Sequence, residues 1–210
     1  MEYLSTFALI AGLFLLLLAS PGPNFFIITQ LSMDGRKSEA LAVAAGVATG
    51  STLWAIAAIL GLAAVLAHMS WIATVLKFAG AAYLVWYGLK LLLGAASGAA
   101  PSARAGLHAR QSRSSAFRSG LLTSLTNPKS GVFWTSVFAA TMPVGAPPWV
   151  SVTCIAIVAL LSTSWHFGLA ILLGSRRAQA AFGRIRRGLN LVCGAVLVGL
   201  GIRLGLAHET

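Results

Sequence analysis

The residues best placed to do chemistry in this chain lie in two short stretches, "SPGPN" at residues 20–24 and "TNPKS" at residues 126–130. Each sets proline inside an apolar run, and the second adds a lysine. Proline in a helix interior removes a backbone hydrogen bond and clashes with the preceding turn, at about 3 kcal/mol. In hydrocarbon the group left unpaired finds no water. At the first turn of a helix the same proline is tolerated, because its N–H would have no intrahelical partner anyway. Both stretches therefore read as the starts of half-helices. Ser20 is the expected N-cap of the first, with Pro21, Gly22 and Pro23 in its opening turn and the N–H groups of Gly22 and Asn24 left free. Asn127 is the expected N-cap of the second, with Pro128 at the first helical position. Lys129 is then an anomaly. A helix N-terminus repels a cation, and a charge in a membrane span costs about 2.5–3.5 kcal/mol on insertion scales. Two open helix N-termini and an ammonium together make a site for an anionic group such as a carboxylate. The alternative for each break alone is a kink that adjusts packing; the pairing of the breaks and the presence of Lys129 favour a site.

The other ionisable residues are few. The carboxylates, Glu2, Asp34, Glu39 and Glu209, fall at the ends of apolar runs or between them. Asp34 follows the first broken run. It could gate by pairing with Arg36 or Lys129, or be solvated, and exposed pairs are weak. His166 lies inside an apolar run beside Trp165; it is a candidate for proton coupling, with helix packing as the alternative. Lys77 can snorkel to an interface. Cys154 and Cys193 sit in apolar runs and read as packing residues, with no disulfide framework or metal-ligand spacing. Nothing calls for a cofactor.

These residues must be positioned by a membrane-embedded scaffold. The chain has 210 residues, 58% of them hydrophobic and 9% charged, with a mean hydropathy of +0.85. A soluble domain carries roughly 25% charged residues. Six spans are predicted, at about 4–32, 39–67, 71–93, 117–142, 148–173 and 188–207, each at least as long as the roughly 20 residues that a membrane helix needs. "MEYLST" lacks a basic n-region and carries Glu2, so the first run is expected to be a span and not a cleaved signal. The run from Phe7 to Met33 would be about 40 Å long as a straight helix, against a hydrocarbon core of about 30 Å, so a break there is no surprise.

The net charge of +11 comes from basic residues between apolar runs and not along a solvated face. Membrane topology therefore explains them better than nucleic acid does. Arg36, Lys37, Lys90, Arg104, Arg110, Arg113, Arg118, Arg176, Arg177, Arg184, Arg186 and Arg187 all fall at odd-numbered connections; "HMS" and "PVGAPP" contain no Lys or Arg. By the positive-inside rule the odd connections are cytoplasmic and both termini are outside. The chain then forms one transporter domain: a first repeat over 1–93, a cytoplasmic linker over 94–116 and a second repeat over 117–210, of opposite orientation. Inverted repeats of this kind are a common transporter plan, and "LASPGPNFFIIT" has a weak counterpart in "LTNPKSGVFWTS". Gly46 and Gly50 form a GxxxG that reads as close packing within the bundle, with a homodimer face as the alternative. Trp54, Trp71, Trp86, Trp134 and Trp149 lie near span ends, where interface anchors belong.

The motifs "SPGPN" and "NPK" resemble the two signatures of the LysE/RhtB family of bacterial amino-acid exporters. "GVATGSTLWAIAAILGLAAVL", "LKFAGAAYLVWYGLKLL" and "LNLVCGAVLVGLGIRL" are similar to its second, third and sixth spans. The likeness covers nearly the whole chain. It implies an all-α exporter in the bacterial plasma membrane that moves amino acids or similar zwitterionic metabolites, energised by protons. Ser51 and "STSWHF" stand where many members carry an acidic residue, so a side-chain amine on the substrate would have no carboxylate partner there. A metal-ion exporter would want clustered Asp, Glu, His or Cys within the spans. A membrane enzyme or lipid-handling protein would want a convergent acid, base or nucleophile set. Neither pattern is present in the sequence.

Placing 12 of the 15 basic residues at the odd connections makes the topology testable. A cysteine at position 104 in intact cells is expected to resist an impermeant thiol reagent added outside, and to react once the membrane is opened. Labelling in intact cells would contradict both the topology and the inverted repeat.

Overall fold

The computed structural model describes residues 3–20, 22–68, 70–97, 110–143, 145–173 and 176–206. Every regular element among them is helical: α1 Leu4–Ala19, α2 Pro23–Met33, α3 Lys37–His68, α4 Ser70–Ser97, α5 Arg113–Leu125, α6 Pro128–Thr141, α7 Pro148–Leu172 and α8 Arg176–Leu206. Residues 37–61 of α3 and all of α7 are long and apolar enough to cross a membrane, and α1 with α2, bent by 54° at their break, makes a third such unit. The outward faces of the bundle carry large apolar side chains; Leu93, Leu160 and Leu206 are each 70% exposed. Water would disfavour such a surface, and lipid would not.

Three boundaries differ from the sequence reading. Ser20 is not the N-cap of the second half-helix. It closes α1, and Gly22 in extended conformation (φ −150°, ψ −173°) is the N-cap of α2, with Pro23 at the first helical position. A proline at N1 is preorganised for that place, so the helix starts at the second proline of the motif; Pro21 lies outside the described residues. The stretch 174–187, read as a connection, is largely helical, because α8 begins at Arg176. Its Ala, Arg and Gln residues are good helix formers, and the isolated Gly183 and Gly188 are tolerated within the helix. The end of the 94–116 linker is likewise the first turn of α5, where the Ser112 hydroxyl accepts from the Ser115 N–H at 3.2 Å; residues 98–109 lie outside the described residues.

Two apolar clusters hold the bundle together. The larger surrounds Phe14, Trp134 and Phe138, whose side chains come from α1 and α6. The smaller joins Ile28 and Leu31 of α2 to Val43 and Val47 of α3 and Leu169 of α7. Lipid tails are as apolar as leucine, so apolar surface alone gives helices in a membrane little reason to associate, and close backbone approach becomes important. Glycine provides that approach between α3 and α5. A Cβ on Gly46 would lie 2.1 Å from the Phe117 carbonyl oxygen, and one on Gly120 would lie 2.2 Å from that of Val43. The GxxxG therefore packs within the bundle. Between α4 and α8 a Cβ on Gly88 would lie 2.7 Å from the Gly194 carbonyl oxygen, and one on Gly201 would lie 2.7 Å from that of Ala81.

The turn from α2 to α3 is tied to the start of α5. Gly35 takes a left-handed conformation (φ 72°), and the Arg36 N–H donates back to the Leu31 carbonyl at 2.9 Å, which closes the helix end. Both ends of the Arg36 guanidinium meet the Glu39 carboxylate, Nε at 2.9 Å. The same carboxylate accepts from the Gln111 N–H at 2.9 Å, and Arg113 Nε donates to Ser38 Oγ at 2.9 Å. The hydrogen bond to Glu39 raises Arg36 above its usual range.

The glycine contacts give a paired test. Gly46→Ala and Gly120→Ala force α3 and α5 apart and are expected to destabilise by about 1–3 kcal/mol or more, as overpacking does. Gly12→Ala, where an added Cβ meets nothing within 4 Å, is expected to be neutral or slightly stabilising. Thermal unfolding of the purified protein in one detergent reads all three.

Candidate functional site

The two breaks face each other across the interior, and each is held by side chains from elsewhere in the chain. α1 ends at Ala19 because Ser20 turns extended (φ −77°, ψ 116°). A helix end leaves its last carbonyls without intrahelical partners. Here the Lys129 ammonium donates to the Ser20 carbonyl at 3.0 Å and the Leu17 carbonyl at 3.3 Å. The Cys193 thiol donates to the Leu16 carbonyl at 3.4 Å. Ser20 Oγ and Tyr87 Oη, a residue of α4, share a hydrogen bond of 2.9 Å. The lysine ammonium also stands 5.1 Å from the centre of the Tyr87 ring, within cation–π range.

The second break is built as the sequence implies. Asn127 caps α6, its Oδ1 accepting from the Lys129 N–H at 3.0 Å, and Pro128 is at the first helical position. At the end of α5, the Ser124 carbonyl accepts from Trp54 Nε1 of α3 at 3.1 Å. The Trp54 ring lies against Gly131, where an added Cβ would come within 2.7 Å of the ring. The two helix starts differ in one respect. α6 is capped by Asn127, whereas no side chain caps α2.

Between the breaks lies a cavity of about 30 Å³, room for roughly two waters. Ser20, Gly22, Asn24, Asn127, Lys129 and His166 all line it. The structure thus brings together most of the site residues expected from sequence. Pro23 opens α2 at its edge, and Pro128 precedes Lys129 in α6. His166 is buried on α7, its Nδ1 2.8 Å from the Ser162 carbonyl. If Nδ1 carries the proton for that bond, Nε2 is the acceptor nitrogen. Asp34 is elsewhere: it is exposed at the far end of α2. Of the partners considered for it, Arg36 is bonded to Glu39 and Lys129 to the carbonyls of α1.

Several contributors were not assigned to the site from sequence. Ser51 and Ser130 line the cavity, as do the aromatic residues Trp134 and Trp165. Trp134 is fully buried and Trp54 holds the second break, so neither is an interface anchor. Trp86 and Trp149 are exposed, with Trp149 edge-on to Tyr3 at 5.4 Å. Glu39 is buried in the tie to Gln111, although it stands at the end of an apolar run. The available signal was its spacing from Arg36 and its place in the first turn of a helix, where an acid is favoured.

The LysE type translocator family model matches residues 15–208 of the chain. The threonine efflux protein of Escherichia coli (strain K12) is 29% identical over 201 residues, 96% of this chain and 98% of that protein. The threonine efflux protein of Salmonella typhi is 31% identical over 204 residues, again 96% and 98%. The leucine efflux protein of Klebsiella pneumoniae is 27% identical over 205 residues, 93% and 92%. No solved structure matches the chain. With a family match over nearly its whole length, residues 15–208, the chain belongs to the LysE type translocator family.

Proposed function

We propose that the chain exports small neutral amino acids across the bacterial plasma membrane by alternating access. Relatives named for threonine and leucine efflux support an uncharged side chain. So does the chemistry of the cavity, whose described lining includes serines, asparagines and His166 but no carboxylate. The proposed scaffold has six spans: α1–α2, α3 and α4 in the first repeat, α5–α6, α7 and α8 in the second. Equivalent helices of the two repeats lie against each other, α3 on α7 and α4 on α8, as an inverted repeat would place them. Both termini are outside, and the 94–116 and 174–187 stretches face the cytoplasm.

The observation that carries the reading is the placement of the Lys129 ammonium. It has three N–H donors, and the carbonyls of Leu17 and Ser20 take two. The substrate carboxylate takes the third, together with the N–H groups of Gly22 and Asn24 at the uncapped start of α2; the prolines of the motif have no N–H and serve to fix the break. Asn127 and Pro128 set the start of α6 and so the position of the lysine. A cavity of about 30 Å³ does not hold an amino acid, so this conformation is closed, and loading requires the half-helices to part. His166 on the same cavity is the proposed proton carrier, and Asp34 the proposed gating residue beyond α2. The protein works as a monomer or a homodimer in this scheme.

Transport and stability together test the role of Lys129. Lys129→Gln keeps an N–H donor for the α1 carbonyls but removes the charge. It is expected to melt within a few degrees of wild type and to weaken binding of L-threonine or L-leucine at least roughly tenfold, because a charge-assisted hydrogen bond is lost. Efflux from proteoliposomes should fall with it. Lys129→Met leaves the Ser20 carbonyl without its donor, while the Leu17 carbonyl keeps the Ser20 N–H at 3.2 Å, and is expected to lose about 1–3 kcal/mol of stability as well. Normal binding by a Lys129→Gln protein that unfolds easily would make Lys129 only a structural counter-ion.

A further inference from the structure

An amino acid brings two charges into the interior of the bundle, and each needs a partner there. The proposed site accounts for the carboxylate and leaves the α-ammonium open. No Asp or Glu is among the described residues that line the cavity. The negative end of α1 is already occupied, its Leu17 and Ser20 carbonyls accepting from Lys129. One acceptor on the cavity lining is conspicuously unused: Asn24 Oδ1 is buried and has no hydrogen-bond partner. Native structures keep few such groups, and each calls for an explanation. A serine hydroxyl can turn to donate elsewhere, whereas an amide oxygen can only accept.

The position of Asn24 fits the same need. It lies in the first turn of α2, after the N-cap Gly22 and Pro23. Its backbone N–H belongs to the uncapped helix start that faces the carboxylate, and its side-chain oxygen is the orphaned acceptor. The two groups of an α-amino acid branch from one carbon, so a residue that offers a donor and an acceptor side by side matches both. We propose that Asn24 Oδ1 accepts the substrate's α-ammonium and thereby makes the site select α-amino acids over carboxylic acids of the same shape. The inference rests on the amino-acid reading of the cavity. His166, across the cavity on α7, offers the competing acceptor nitrogen, and the test separates the two.

The test compares L-threonine with 3-hydroxybutanoate, the same molecule without its amino group, by calorimetric titration of purified protein. Wild type is expected to bind threonine roughly tenfold or more tighter, the value of a hydrogen bond to a charged group. Asn24→Leu is expected to remove that preference by weakening threonine alone. Asn24→Asp, close in shape and a stronger acceptor, should keep the preference or raise it, and it decides the matter if the leucine variant does not fold. A preference that survives Asn24→Leu would move the ammonium to another group such as His166 and overturn the inference. So would loss of the preference in Asn24→Asp, or equal weakening of both ligands. Wild type that binds neither ligand would overturn the amino-acid reading itself.

Discussion

A helix that stops inside an apolar bundle leaves carbonyl oxygens that something must satisfy, and in this protein a lysine does so. The Lys129 ammonium lies on the Leu17 and Ser20 carbonyls at the end of α1. Viewed from its own helix the charge is badly placed, since it stands at the positive start of α6. Viewed from α1 it is well placed, because the C-terminal end of a helix is negative and offers acceptors. The two helix ends meet at one cation, so what looked like a cost in sequence is offset by the neighbouring break. Remove the ammonium and the Ser20 carbonyl loses its donor in a place where water is scarce.

The rest of the fold delivers that meeting. Gly46 and Gly120 allow α3 and α5 to approach backbone to backbone, which fixes the start of α6 relative to the first part of the chain. Trp54 of α3 donates to the Ser124 carbonyl at the end of α5, while Lys129 of α6 donates to the end of α1. Each break is therefore held by a side chain from the other proposed repeat. For alternating access this reciprocity has a consequence: motion of one repeat against the other must exchange the partners of both breaks.

The helices were legible because hydropathy and proline placement act locally. The apolar runs anticipated that the described elements are all helical, and "NPK" announced its own cap, with Asn127 on the Lys129 N–H. The finer contacts were not legible, because they depend on approach between distant segments. No local pattern told that Lys129 would reach back 109 residues to Ser20, or that Trp54 would cap a carbonyl instead of anchoring at an interface. Ser20 was misread as an N-cap because the two prolines of "SPGP" are equally suited to a first turn, and only the path of the chain selects the second. The basic stretch before Gly188 was read as a connection because charge marks the membrane edge; helix propensity, which is indifferent to that edge, carries α8 straight through it.

The central claim is that one charge serves both the helix end and the substrate carboxylate. The most direct measurement is the affinity of the purified protein for L-threonine and for its carboxamide, which keeps the ammonium and side chain but has no negative charge. The account predicts that wild type prefers threonine by roughly tenfold or more, and that Lys129→Gln binds the two alike. Equal binding of threonine and its carboxamide by wild type would contradict it, and would leave Lys129 as the cap of α1 alone.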